Sequence, residues 1–301
     1  MLDSVPMTPW VLWPARLLAI PLLAALAAGC ATPRAAGSPG AARTGSAGLV
    51  AVEGGTYLRG SDAPYTIPKE RPAHPVTVAD FRIGTREVTV AEFRRFVEAT
   101  GYLTETERSG GALDTDPAMT TITRTPGLSW RTPGYAASDD DPVTWVTWND
   151  AKAYTDWLAA ATGLPFRLPR EAEWEFAARE RGRDRRWSGT DDPGALAAYA
   201  WYDATSHGRP HPVGVLRPNA LGIHDMSGNV WEWCEDGYRA YAGSAAPLVD
   251  PAGEPDSKFR VLRGGSWRVG PDILRTTYRN GYRADYAHSS FGFRLAMDGR
   301  R

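Results

Sequence analysis

The amino-acid sequence predicts an α+β fold with little regular secondary structure, and three observations carry that reading. Helical periodicity is confined to three stretches between Thr89 and about Arg181. Strand-like runs are few and short. After Ala195 helical signals are scarce, and segments cut by Gly and Pro suggest irregular loops stacked on a small sheet.

Taken in order, Leu49 to Thr56 reads as a first strand closed by Gly54-Gly55. Arg71 to Val78 alternates Pro and Val, which suits an edge strand or an extended loop, since Pro cannot donate to a ladder. Thr89 opens a helix as a capping box with Glu92, placing Phe93, Phe96 and Val97 on one face, and Gly101 stands where the helix stops. A second helix is expected from Asp150 to Thr162, with Ala151, Tyr154, Trp157, Leu158 and Ala161 at helical spacing. A third is expected from Glu171 to about Arg181, entered through Arg170, a weak N-cap. Leu103 to Asp141 shows no obvious element, and a stretch of that length is functional or mobile; Trp130 and Tyr135 within it could present aromatic faces to a ligand.

The chain divides into a leader, a tether and one domain. Arg16 precedes LLAIPLLAALAAGC, an apolar run of signal-peptide length and too short to span a bilayer, so residues 1–29 read as a signal peptide. Ala27, Ala28 and Gly29 directly precede Cys30, which resembles a bacterial lipobox whose Cys is acylated; plain secretion with an incidental Cys is the alternative. Ala31 in place of Asp after that Cys suits the outer membrane, so the expected location is the cell envelope, facing the periplasm. Residues 30–48 carry no aliphatic side chain larger than Ala and act as a flexible tether reaching roughly 25 Å. Residues 49–301 form the domain. Losing the leader removes one acid, Asp3, and one base, Arg16, so the formal charge stays at −1. Neither a nucleic-acid footprint nor a polybasic membrane patch is visible, which leaves the lipid anchor as the membrane contact and an envelope protein or peptide as the expected partner.

Chemistry concentrates in LGIHDMSGNVWEW, Leu221 to Trp233. Asp225 and Glu232 flank a Ser-Gly-Asn turn, and Gly228 lets that turn fold its carbonyls inward. Carboxylates plus carbonyls are the oxygen donors that Ca²⁺ requires. On spacing alone, however, an ordinary turn between two buried Trp anchors ranks ahead of a metal loop. The string GNVWEW, followed by RVLRGGSW (Arg260 to Trp267) and FGFRLA (Phe291 to Ala296), resembles the formylglycine-generating enzymes, also called the sulfatase-modifying factor family. Blocks at Val50 to Asp62, Phe81 to Val97 and Pro142 to Gly182 agree, so the resemblance runs from Val50 to Met297. It implies that family's variant of the C-type lectin fold. It also implies a structural Ca²⁺ held by Asp225, Gly228, Val230 and Glu232, and a groove lined by Trp231 and Ser266.

The family's oxidising members carry two cysteines just after GGS that bind copper, because soft Cu(I) wants thiolates. Here the first falls on Val269 and the second near Leu274, and Trp267 to Tyr286 contains no Cys, His or Met. Copper is therefore not expected. Cys234, the domain's one thiol, reads as a small buried apolar residue. Arg279 and Arg283, with Arg275 and interleaved tyrosines, are candidates for a basic, aromatic part of the groove, although pinning loops through carbonyls ranks first for such arginines. His207, His211 and His224 raise a zinc question that no paired spacing supports. The leading functional expectation is a lipid-anchored module, binding or accessory, that keeps the groove without the cysteine pair. A cysteine-independent enzyme acting on a periplasmic peptide or siderophore precursor is second, and a formylglycine-generating oxidase is third.

Overall fold

The computed structural model describes residues 48–115, 122–251 and 253–299. The leader, Cys30 and the tether up to Ala47 lie outside the described residues. In chain order the elements are β1 (Leu49–Val52), β2 (Gly55–Arg59), β3 (His74–Val78), β4 (Phe81–Gly84), α1 (Val90–Thr100), α2 (Glu105–Arg108), β5 (Gly111–Thr115) and β6 (Ile122–Pro126). They continue with α3 (Trp148–Thr162), α4 (Glu171–Ala178), β7 (Trp231–Gly237), β8 (Leu248–Val249), β9 (Phe259–Arg263), β10 (Arg279–Arg283), β11 (Phe291–Gly292) and β12 (Ala296–Asp298). The strands form sheets ordered β1-β4-β12, β10-β9-β7-β11 and β2-β3-β8, plus the hairpin β5-β6.

Helix starts follow the local chemistry of their caps. At α1, Thr89 Oγ1 accepts from Glu92 N at 3.2 Å and Glu92 Oε2 accepts from Thr89 N at 2.9 Å, so two orphan amides are satisfied reciprocally. Gly101 closes the helix in the left-handed region. α3 begins two residues before the expected Asp150, because Thr147 and Asp150 form the same reciprocal cap. Arg170 offers no side-chain cap to α4, and Glu173 compensates by accepting Arg170 N at 2.8 Å.

Four expectations need correction. The first strand is two, β1 and β2, separated by Glu53 and Gly54. β3 is central rather than at an edge: β8 pairs only with Val76 and Thr77, so the missing N–H of Pro75 removes nothing from that pairing. Leu103 to Asp141 contains α2 and the β5-β6 hairpin. α4 ends at Ala178, where Glu180 and Arg181 turn to positive φ.

Two apolar clusters hold these layers together. In one, α1 and α3 pack Phe93, Tyr154 and Leu158 against Trp233 and Phe293. In the other, Trp174 and Phe176 of α4 pack against Val76, Ile83 and Cys234. Full burial of each large side chain contributes roughly 1.5–3 kcal/mol, so these layers fix the frame on which the C-terminal loops are mounted.

Candidate functional site

Beyond β9 the chain turns through Gly264 and Gly265, both at positive φ, into Ser266–Val269. A Cβ on Gly265 would come within 2.5 Å of Leu274 Cδ2, so the turn needs glycine. Ser266–Val269 is then held from two sides: Trp267 N donates to Asn229 O at 2.8 Å, while Ser206 Oγ donates to Trp267 O at 2.8 Å and Asp203 N to Val269 O at 3.2 Å. This segment borders a cavity of about 550 Å³, whose walls include Leu128, Tyr135, Trp145, Asp203, Trp267 and Arg268. A volume of that size suits a small ligand or a few residues of peptide.

The walls are positioned by hydrogen bonds. Trp145 Nε1 donates to Pro133 O at 2.9 Å, and the Tyr135 hydroxyl shares a 2.6 Å bond with Thr144 Oγ1. Arg268 lies over the Trp267 ring at 5.2 Å, donates to Ser289 Oγ at 3.1 Å and faces His288 Nε2 at 3.5 Å. Burial first, and the Arg268 charge second, push His288 down to about 3, so at neutral pH this imidazole is uncharged.

The predicted groove residues separate in space. Trp231 is a buried core side chain whose ring lies 5.9 Å from Tyr278, and Ser266 is fully buried with its Oγ accepting Arg268 N at 3.4 Å; neither is among the residues lining the 550 Å³ cavity. Arg279 is buried elsewhere: its Nε and Nη2 bond Glu171 at 2.6 and 2.8 Å and its Nη1 bonds Arg239 O at 2.6 Å. Arg283 is at the surface, paired with Asp285. Neither borders the 550 Å³ cavity. Trp130 is also core, edge-on to Phe93, whereas Tyr135 does reach the cavity. Asp203 and Arg268 carried no sequence signal, and only the chain's return to Val269 brings them into view.

Copper does not fit these residues. Val269 and Leu274, where the resemblance leads one to expect the cysteines, pack with Trp187, Leu196 and Ala200 in a small apolar cluster. Cys234 is fully buried in the cluster around α4, where burial pushes its thiol well above the usual range. It does not line the cavity. The three histidines are dispersed as well: His211 stacks on Trp201, with its Nε2 beside Ser206 O, and the His224 ring bonds Leu216 O.

The loop expected to hold Ca²⁺ presents a different picture. Gly228 sits at φ +94, and a Cβ there would strike Trp201 O at 2.3 Å, so the tight turn is real. Glu232 is engaged on both oxygens: Arg294 Nε and Nη2 lie at 2.5 and 2.6 Å, and Trp174 Nε1 donates at 2.7 Å. Asp225 accepts Gly214 N on Oδ2, but its Oδ1 is buried with no partner. Glu87 mirrors it, accepting Asn229 Nδ2 on Oε1 while Oε2 is buried with no partner. Burial, then the Asp225 charge, raises Glu87 well above the carboxylate range. Among the described residues no three His, Cys, Asp or Glu side chains stand in metal-holding geometry. A hard cation here would therefore lean on carbonyls such as those of Gly228 and Val230, with Glu87 and Asp225 supplying the orphaned oxygens. Glu87 was missed in the sequence because its partner Asn229 is 142 positions away.

Comparisons place this geometry among known proteins. A family model for the sulfatase-modifying factor enzyme 1-like domain matches residues 35–299. The chain is 35% identical over 320 residues to a formylglycine-generating enzyme of Streptomyces coelicolor, covering 91% of this chain and 97% of that one. It is 36% identical over 291 residues to a hercynine oxygenase of Mycolicibacterium smegmatis, covering 88% of this chain but 64% of the relative. Among solved structures it resembles PvdO from Pseudomonas aeruginosa with a TM-score of 0.69 and 29% identity, covering 83% of this chain and 94% of that one. The α+β architecture is thus of the formylglycine-generating-enzyme type, and the chain belongs to the sulfatase-modifying factor enzyme 1-like domain family.

Proposed function

We propose that this protein is an envelope lipoprotein, anchored through Cys30, whose family groove recognises a ligand without thiol or copper chemistry. The observation that carries the reading is the pairing of an intact 550 Å³ cavity with an aliphatic Val269–Leu274 packing where a cysteine pair would have to stand. Recognition needs a shaped, partly apolar cavity with a few polar groups, and that cavity is retained. Sulfur oxidation needs an accessible thiolate, and the one thiol among the described residues is buried elsewhere. We include in the proposal a structural Ca²⁺ held by Asp225 and Glu87, with Gly228 and Val230 contributing carbonyls and the Glu232–Arg294 pair fixing the loop behind them.

The test is photo-crosslinking from position 128 or 206 in living cells. Capture of one envelope protein or peptide, abolished by Tyr135→Ala, supports recognition, and no capture from either position overturns it. A sulfatase-derived cysteine peptide incubated with the protein, Cu(I) and oxygen should keep its sulfur by mass spectrometry; conversion to the aldehyde would restore the oxidase reading.

A second reading draws on the hercynine oxygenase match: catalysis in the same groove by residues other than cysteine. About a third of that relative lies outside the match, so its activity does not transfer by similarity alone. Turnover of a captured peptide, lost on Ser206→Ala with the fold intact, would favour it over simple binding.

A further inference from the structure

The groove carries one acidic side chain and one basic side chain, and they are treated differently by their surroundings. Arg268 is held against the Trp267 ring, Ser289 and His288. Asp203 is held only through its backbone, by the bond from its N to Val269 O. No described residue donates a hydrogen bond to its carboxylate or forms an ion pair with it, and the side chain is exposed to the groove. Tyr135 and Trp267 border the same space, and Leu128 adds an apolar wall.

Asp203 is exposed, and a carboxylate on the wall of a groove that also carries aromatic rings favours a cation. The charge contributes Coulomb attraction, and the Tyr135 ring adds a cation–π attraction for an ammonium or guanidinium over it, the Trp267 ring already carrying Arg268. An anion would meet Asp203 as a repulsive neighbour, which is how a binding site rejects the wrong partner.

Resting on the ligand-binding reading above, we infer that Asp203 selects ligands carrying a protonated amine or guanidinium beside an apolar or aromatic body, and that it is the groove's specificity-determining residue. The contact is a charge-assisted hydrogen bond from the ligand nitrogen to Asp203 Oδ1 or Oδ2. No bond is made or broken, and the role needs no metal.

Three probes of one shape separate the terms: tyramine carries the cation, tyrosol replaces it by a hydroxyl, and 4-hydroxyphenylacetate replaces it by an anion. Titrated calorimetrically into the full chain in detergent, tyramine should bind about tenfold tighter than tyrosol, equivalent to ~1.4 kcal/mol, and 4-hydroxyphenylacetate no tighter than tyrosol. Asp203→Asn should erase the gap while leaving tyrosol unchanged, because the exposed amide keeps the shape and loses only the charge. Equal binding of tyramine and tyrosol, a gap that survives Asp203→Asn, or no binding by any probe overturns the inference. Tyr135→Ala separates this failure from that of the groove reading. If it weakens all three probes together, the groove is the site even when the charge preference is absent. If it changes none, the probes bind elsewhere and the groove reading falls with them.

Discussion

Around Glu171, three guanidiniums close on one carboxylate: Arg59, Arg263 and Arg279 all reach it, and all are buried. Around Arg294 the ratio inverts, and Glu87, Asp225 and Glu232 share the field of a single guanidinium. The first cluster satisfies Glu171 on both oxygens, although Arg263 Nε, 3.1 Å from Glu171 Oε1, makes no hydrogen bond. The second leaves one oxygen of Glu87 and one of Asp225 without partners. Both are buried, so burial alone does not mark a site; unpartnered carboxylate oxygens do. A network that closes on itself fixes structure, whereas one that does not is waiting for a proton or a cation.

The largest expected effect comes from breaking the closed cluster. Although burial works against it, Arg279, Arg59 and Arg263 hold Glu171 well below the usual carboxylate range, so it is an anion at every working pH. Glu171→Gln strands buried guanidiniums and should cost about 3–5 kcal/mol in chemical denaturation. A loss under 1 kcal/mol would mean that the arginines reach solvent when Glu171 is neutralised, and the contrast between the clusters would collapse.

Asp236 sharpens the comparison from inside the same region. Burial first, and the Glu171 charge second, push it up to about 6, although it accepts Glu171 N at 2.6 Å and Gly253 N at 2.9 Å. Its folded pKa lies above its unfolded value near 3.8, so its contribution is fully present below about pH 3.8 and is lost as pH rises through 6. The span is worth about 3 kcal/mol at most. Denaturation midpoints of Asp236→Asn should lack this component of the pH dependence between 4 and 6, and an unchanged profile would refute the assignment. His288 has the opposite sign: depressed to about 3, it contributes stability that is present above about 6.5 and lost as pH falls toward 3.

At the open cluster, added Ca²⁺ should stabilise the protein, by about 2.7 kcal/mol when free calcium is a hundred times Kd. EDTA should reverse the gain, and Asp225→Asn with Glu87→Gln should remove the response to both while leaving the chain folded. A wild-type melting temperature indifferent to calcium and EDTA would dispose of the cation and leave a shared proton as the way the corner is balanced.

The two clusters also explain what could be read in advance. The helix start at Thr89 is legible because donor and acceptor lie three residues apart, whereas the same pairing at Thr147 goes unread and α3 is expected only from Asp150. The Gly228 turn is legible because its strain is local. Charge partners are not: Arg279 meets Glu171 across 108 positions, and Arg294 meets Glu232 across 62. From the sequence, Arg279 and Arg283 look alike, two arginines interleaved with tyrosines. Alternation puts both on one face of β10, and their separation depends on position along it: Arg279 stands at the buried end by Glu171, Arg283 at the exposed end. Leu274 posed the reverse problem, since an aliphatic residue near where the resemblance leads one to expect a cysteine reads as mere loss until Trp187 and Leu196 are seen packed with it.

The smallest effect belongs to Arg283. Its guanidinium bonds Asp285 two residues away, fully in water, where Coulomb energy is screened and the order imposed on two long side chains opposes it. Arg283→Ala should leave the melting temperature and the affinity for tyramine unchanged, because it neither supports a buried carboxylate nor borders the cavity. Arg279→Ala, four residues earlier on the same strand, should lower the melting temperature clearly, since Glu171 loses two of its hydrogen bonds and Arg239 O loses its donor. If Arg283→Ala instead weakens tyramine binding, the groove extends along β10 to its outer end. The arginine–tyrosine stretch would then belong to the ligand after all, and the division between closed and open charge clusters would no longer coincide with the division between structure and recognition.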